Sequence, residues 1–430
     1  MKISLPYGKG SIEAQLPAQA RVTIVEPQCP PLEGTDEERI EAALDAPIGT
    51  PKLEEMADST KRVLIVVNDH TRPGPNKEIA AALLRRLKKA GVPDGNIRFI
   101  CATGSHRAPT DAEMRGIVGD FVVDNYPIVM HDCRDKSQLF RLGEVDGLEV
   151  WLNRALLEAD LIITTGLISP HHTAGFSGGR KSILPGITGL DTLRVHHSLP
   201  MRPYAPSMGV LEGNRFHAAA LKVAKLAGVD FMINAVQDMK KQNVAFVAGD
   251  IELAHSKGAE ICRRLNTVDI PALADVVIAS PGGYPRDSDL YQAQKGLAVA
   301  ETLVRPGGTM ILCANSELGI GEGLFPQWMK EGKSPQDIID RYRREGFNVG
   351  NNKAFMYARA LLRGRVLIVS HNLDREELKE MFLDWAPDLQ TAVDMATEKL
   401  DDPMITVLPR AVNMIPRVSD NPSEANSTGR

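Results

Sequence analysis

With 430 residues, 43% hydrophobic and 24% charged, the chain has the composition of an ordinary folded protein, long enough for two α/β domains. A formal net charge of -5 without long basic or acidic runs argues against nucleic acid as a partner, and no apolar run approaches the roughly 18 residues that suggest a membrane span. The opening Met1-Lys2-Ile3-Ser4 lacks the apolar stretch of a signal peptide, and the five cysteines (Cys29, Cys101, Cys133, Cys262, Cys313) form no C-x-x-C, so a cytoplasmic protein without a disulfide framework or zinc ribbon is expected.

Short β-branched runs alternate with amphipathic stretches, the pattern of strands crossed over by helices, which predicts parallel or mixed sheets. Arg62 to Asn68 reads as a buried strand running into Asp69-His70-Thr71-Arg72-Pro73. Asn76 is the expected cap of a helix with Ile79, Leu83, Leu84 and Leu87 on one face, stopped by Gly91 and Pro93. A second strand, Ile97 to Ala102, leads into Thr103-Gly104-Ser105-His106-Arg107, after which Thr110 and Glu113 form a capping box. A third, Leu161 to Thr165, enters the most unusual segment, Ser169 to Gly186. Ligands of open α/β sheets bind beyond the carboxyl ends of the strands, so these three loops are expected to line one crevice.

A second unit begins near Thr267 to Pro271, with strands at Asp275 to Ser280, Thr309 to Ala314, Val366 to Ser370 and Ile405 to Leu408. A helix starts near Ser288, and the text from Glu376 to Leu400 reads as helical. The expected architecture is two α/β domains, residues 1–268 and 269–418, with an active-site cleft between them and a polar tail over 419–430.

Histidine carries most of the chemical information. His106, His171, His172, His196 and His197 fall in or near strand-end loops, whereas His131, His217 and His255 sit in ordinary strand or helix text. A single histidine is more often a satisfied or surface residue than a ligand; clustering at strand ends raises the group above that, since neutral imidazole binds metals and moves protons near neutral pH. The stretch Gly175 to Ser182 approaches the phosphate loop G-x-x-x-x-G-K-S/T but carries Arg180 where glycine is needed. A nest of backbone N–H groups at Ser177, Gly178 and Gly179 remains suited to one anion, with a plain turn equally compatible. His172 and Arg180 suggest room for a second anionic or polar group.

Taken together, Asp69-His70-Thr71-Arg72-Pro73, Gly104-Ser105-His106-Arg107, Pro170-His171 with Ser177-Gly178-Gly179 and Lys181, His197, and Tyr291-Gln292 with Lys295 resemble the lactate racemase family. Lys181 lies ten residues after His171, and His197 sixteen after Lys181, as in that family; His196 is the adjacent alternative. The resemblance implies a nickel-pincer nucleotide, a pyridinium mononucleotide whose thiocarboxylate arms chelate nickel through carbon and two sulfurs. It further implies Lys181 as the covalent anchor, His197 as the protein ligand of nickel, and His106 and His171 as an acid/base pair on opposite faces of a 2-hydroxy acid. Arg72, Tyr291, Gln292 and Lys295 would hold the substrate. Asp69 would orient a neighbour at the cofactor site, and Ser177, Gly178 and Gly179 would contact the cofactor. Cofactor-synthesis proteins would be transient partners.

The chemistry agrees with those roles. Inversion through a planar 2-oxo acid needs one proton acceptor per enantiomer, and two histidines from different loops supply them. The electron sink belongs to the cofactor, while a bidentate Arg72 clamp suits a carboxylate. The plainer readings are that Lys181 is a solvated cation and that Tyr291, Gln292 and Lys295 form a solvent face. Two other classes stay open: a zinc-dependent hydrolase built on the two His-His pairs, although no H-E-x-x-H is present, and a non-catalytic nucleotide-binding module using the Gly-Gly-Arg-Lys turn.

Overall fold

A computed structural model describes residues 1–25, 29–321 and 323–419, so residues 420–430 of the expected polar tail lie outside the described residues. The chain forms two compact units, Cys29–Leu265 and a second made of Met1–Gln28 with Asn266–Arg430. That division differs from the contiguous one expected at 268/269. The strand Arg21–Ile24 pairs in parallel with Met404–Leu408, and Ile3, Leu5, Ile12 and Ala14 of the preceding hairpin are buried in the same core as Val276, Ile311 and Leu367.

In the Cys29–Leu265 unit a six-stranded sheet runs in the order Asn243–Gly249, Phe231–Gln237, Leu161–Ile168, Val63–Asn68, Ile97–Ala102, Ile128–Met130. Neighbouring strands are parallel except for the Asn243–Gly249 edge. Val63 to Val67 are all buried, as expected of a parallel strand covered on both faces. The strand order reverses at Val63–Asn68, which places a topological switch point between it and Leu161–Ile168.

The helix Asn76–Lys89 buries Ile79, Leu83, Leu84 and Leu87. Asn76 is its first residue and buried, and makes no side-chain cap. Glu78 in the first turn and Arg86, Lys88 and Lys89 in the last match the helix dipole instead. At the other end Gly91 (φ 85°) closes a Schellman motif, with Gly91 N–H donating to Lys88 O and Val92 N–H to Leu87 O, both at 3.0 Å. The capping box of Thr110 and Glu113 is present.

The second unit has its own six-stranded sheet, all parallel, in the order Asp384–Ala386, Arg365–Val369, Val304–Cys313, Ala274–Ala279, Met404–Leu408, Arg21–Ile24. The continuous helical text of 376–400 divides into two helices, Arg375–Glu380 and Leu389–Thr397, around the edge strand Asp384–Ala386. Phe382 adopts a positive φ of 63°, and Asp388 caps the second helix by accepting from Thr391 N–H at 2.7 Å. Among the described residues no helix is long and apolar enough to cross a membrane.

Candidate active site

The three loops singled out by sequence leave the carboxyl ends of adjacent strands in the Cys29–Leu265 sheet. After Val63–Asn68 comes Asp69, 2% exposed, whose Oδ2 lies 2.6 Å from Nδ1 of His106, itself 42% exposed on the loop after Ile97–Ala102. Asp69 Oδ1 accepts from Thr71 N–H at 3.0 Å and Thr71 Oγ1–H at 2.7 Å. Burial pushes the Asp69 carboxyl up, but hydrogen bonds from His106 and Thr71 outweigh it and hold the group below the usual carboxylate range. A carboxylate at Nδ1 keeps the proton there and leaves Nε2 as the lone-pair nitrogen of His106, the tautomer a general base requires. Arg72 donates to Thr71 O and Oγ1, each at 3.1 Å.

The loop after Leu161–Ile168 opens with a short hairpin in which Pro170–His171 pairs with Gly175–Phe176. Nδ1 of His171 accepts the N–H groups of Thr173 and Ala174, both at 3.1 Å, so the neutral ring carries its proton on Nε2, which faces Lys181 Nζ at 3.2 Å. Burial lowers the Lys181 ammonium well below its ordinary range, with the charges of Arg72 and Arg180 adding to it; burial also lowers His171, reinforced by Lys181. An amine so biased toward its neutral form is nucleophilic and accepts the His171 Nε2–H. Backbone bonds lock the loops together, Gly104 N–H donating to Gly186 O at 2.9 Å and Gly186 N–H to Lys181 O at 3.1 Å.

Ser177, Gly178 and Gly179 serve the protein's own turn. Ser177 Oγ–H donates to Leu167 O at 2.7 Å, and Gly179 N–H donates to Asn234 Oδ1 at 2.7 Å. At Gly178 (φ 76°) a β-carbon would stand 2.4 Å from Asn234 Oδ1, so glycine is required for the close approach. Arg180, expected to border space for a polar group, is fully buried: it donates to Ala174 O at 2.8 Å and Phe176 O at 2.9 Å, and to His255 Nε2 at 2.6 Å. Sequence reading missed this scaffold of Arg180, Asn234 and His255; the only local signal was an arginine in a glycine turn where a phosphate loop forbids one.

The two adjacent histidines end the helix Leu190–His197 and separate cleanly. His196 is fully buried, stacks on Phe216 at 3.7 Å and donates from Nε2 to Phe216 O at 2.9 Å. His197 is partly exposed and donates from Nδ1 to Leu193 O at 3.0 Å, which leaves the lone pair on Nε2. His197 and Lys181 border the same Phe216 ring, at 4.9 Å and 5.6 Å, and burial, followed by the charges of His196 and Lys181, lowers the His197 imidazolium. Among the described residues no three His, Cys, Asp or Glu side chains converge to hold an ion. This donor set fits a metal carried by a group that brings most of its own ligands, needing one neutral imidazole and one nucleophilic amine from the protein.

Tyr291, Gln292 and Lys295 lie on the first turns of Leu290–Leu303 in the other unit, after the strand Ala274–Ala279. Asp289 caps that helix through Gln292 N–H at 2.6 Å, and Lys295 Nζ donates to Gln292 Oε1 at 3.0 Å. All three side chains are half-buried rather than a solvent face, and Lys353 Nζ lies 4.7 Å from the Tyr291 ring.

Comparison with known proteins completes the picture. Residues 7–208 match the model of the lactate racemase N-terminal domain and residues 270–416 that of the lactate racemase C-terminal domain. The chain is 35% identical over 424 residues to a lactate racemase of Thermoanaerobacterium thermosaccharolyticum and 35% identical over 427 residues to one of Lactiplantibacillus plantarum, covering 96% of this chain and 99% of each relative. The lactate racemase apoprotein structure from the former organism matches with a TM-score of 0.90 at 35% identity, over 97% of this chain and 100% of that one. A protein from Thermotoga maritima, at 19% identity and a TM-score of 0.68 over 90% of this chain and 100% of that one, shares the fold.

Proposed function

We propose that this chain, which belongs to the lactate racemase family, inverts C2 of a 2-hydroxy acid, lactate or a close relative, through a 2-oxo acid. The observation that carries the reading is a pair of differently prepared imidazoles in one unit: His106 held by the buried Asp69, and His171 beside the Lys181 amine.

When bound, the nickel-pincer nucleotide would supply the acceptor and donor of the C2 hydride. Lys181 would hold it covalently and His197 would ligate its nickel through Nε2. Arg72, with its fork of donors, binds the substrate carboxylate. His106 takes the hydroxyl proton of one enantiomer at Nε2 and returns it in the reverse direction; His171 serves the other enantiomer. Because two N–H donors at Nδ1 oppose a proton there, His171 can accept at Nε2 only after its own proton shifts from Nε2 to Nδ1, which displaces the Thr173 and Ala174 contacts. The two half-reactions are therefore expected to be unequal, with the enantiomer served by His106 the faster. Ser177, Gly178 and Gly179 shape the turn that presents Lys181, and Tyr291, Gln292 and Lys295 keep the substrate-contact role implied by the family. Cofactor-synthesis proteins would load the site in the cytoplasm.

The test is incubation of cofactor-loaded enzyme with single-enantiomer 2-hydroxy acids in heavy water, followed by chiral analysis and mass measurement. Inversion with the C2 hydrogen retained is expected. Deuterium appearing at C2 would indicate proton abstraction instead, and no inversion of any acid would remove the assignment.

A further inference from the structure

The unit formed by Met1–Gln28 and Asn266–Arg430 has a feature that the racemase reading does not use. Its strand order reverses at Ala274–Ala279, which pairs in parallel with Val304–Cys313 on one side and Met404–Leu408 on the other. The loops after Ala279 and Leu408 therefore leave the same end of the sheet at its switch point, where open α/β sheets hold ligands. The first loop contains Gly282 and Gly283 with φ of 104° and 73°; the second contains Pro409 and Arg410. Backbone bonds join them, Ser280 N–H donating to Leu408 O at 3.0 Å and Ala411 N–H to Ser280 O at 2.8 Å.

Two guanidinium groups meet over this junction. Nη1 of Arg286 and Nη1 of Arg410 each lie 3.7 Å from the point where a β-carbon on Gly282 would sit. Among the described residues neither side chain forms an ion pair or hydrogen bond. The nearest acids in sequence make no ion pair with them: Asp287 is buried, its Oδ2 accepting from Gly8 N–H at 2.7 Å and its Oδ1 making no hydrogen bond, and Asp289 caps its helix. Burial, with the Arg410 charge beside it, pushes the Arg286 guanidinium down to about 10, as expected of like charges held together without a counter-ion. Lys9, 5.2 Å from the ring of Tyr284, adds a third cation to the same loop, since Tyr284 N–H donates to Gly8 O at 2.8 Å.

We propose that Arg286 and Arg410, over the Gly282-Gly283 loop, form a binding site for phosphate, either free or as the monoester of a mononucleotide. A carboxylate carries one charge and is satisfied by one bidentate arginine, whereas a phosphate monoester carries about -1.5 to -2 near neutral pH and offers oxygens to both. The site stands independently of the racemase assignment.

Calorimetric titration of the full-length, cofactor-free protein tests it, with inorganic phosphate, a purine mononucleotide and the matching phosphate-free riboside at constant ionic strength set by chloride. Saturable binding of the phosphate-bearing probes, none of the riboside, and affinity about tenfold or more weaker in Arg286→Gln and Arg410→Gln is expected, with Lys399→Gln as an unchanged control. Tighter binding of the mononucleotide than of inorganic phosphate assigns the nucleotide as the source; equal binding assigns free phosphate. Absence of saturable binding, riboside binding as tight as the mononucleotide, or affinity unchanged in both arginine variants overturns the proposal. Arg410 is exposed, so if Arg286→Gln fails to fold by circular dichroism the Arg410 variant decides.

Discussion

Asp69→Asn removes one charge and changes almost no volume, yet it is expected to silence His106. Thr71 dictates the outcome: its N–H and Oγ1–H both donate to Asp69 Oδ1, at 3.0 Å and 2.7 Å, so the amide oxygen of the introduced asparagine must take that position. The amide NH₂ then occupies the Oδ2 position, 2.6 Å from His106 Nδ1, which has to become an acceptor. The proton moves to Nε2, and the base is lost. That removes the whole general-base contribution, about 10² to 10⁴ in rate, or about 3–5 kcal/mol. Rotating the amide to spare His106 would instead leave the Thr71 N–H without an acceptor, at about 1–3 kcal/mol. Single-turnover oxidation of each pure enantiomer by cofactor-loaded enzyme reads the effect, which is expected for one enantiomer only and no larger in the double variant with His106→Ala. Losses within about tenfold for both enantiomers, or losses that add in the double variant, would refute the reasoning.

Three further outcomes follow from the same contacts. Intact-mass measurement after expression with the cofactor-synthesis machinery is expected to show an adduct on the parent chain and none on Lys181→Arg; an unmodified parent would sink the anchor assignment. His131, 2% exposed, donates from Nε2 to Thr188 O at 3.1 Å, and burial lowers its imidazolium to about 4. Its folded value lies below the unfolded one, so the unfolded state binds more protons between about pH 6.5 and about pH 4, and stability is full above that window and falls through it. Urea unfolding is expected to show the advantage of the parent over His131→Gln shrinking by about 2 kcal/mol from about pH 7 to about pH 4.5, and an unchanged difference would contradict this. Gly178→Ala, with its β-carbon 2.4 Å from Asn234 Oδ1 and a φ of 76°, is expected to cost about 1–3 kcal/mol in stability, measured by thermal melting; a variant as stable as the parent would show that the turn relaxes freely.

What the sequence determined by itself was local. Continuous β-branched runs named the central strands, the Thr110 and Glu113 pair named a helix start, and polar residues after Asn68, Ala102 and Ile168 named the loops that carry the candidate site residues, because periodicity and capping depend on neighbours a few residues apart. Tertiary structure alone decided the rest. Residues 2–24 join a unit whose other strands begin after residue 266, since a strand's partner is chosen by which sheet edge and core can cover it. Arg180 changes from an expected pocket-lining cation to the buried post of the Lys181 turn, because the fold curls the carbonyls of Ala174, Phe176, Ser177 and Gly178 around it and brings His255 to it from a separate helix. His196 and His197 are indistinguishable as letters, yet one stacks in the core and the other borders the Phe216 ring beside Lys181; helical rotation of one residue, set by how the helix packs on Phe216, makes that choice.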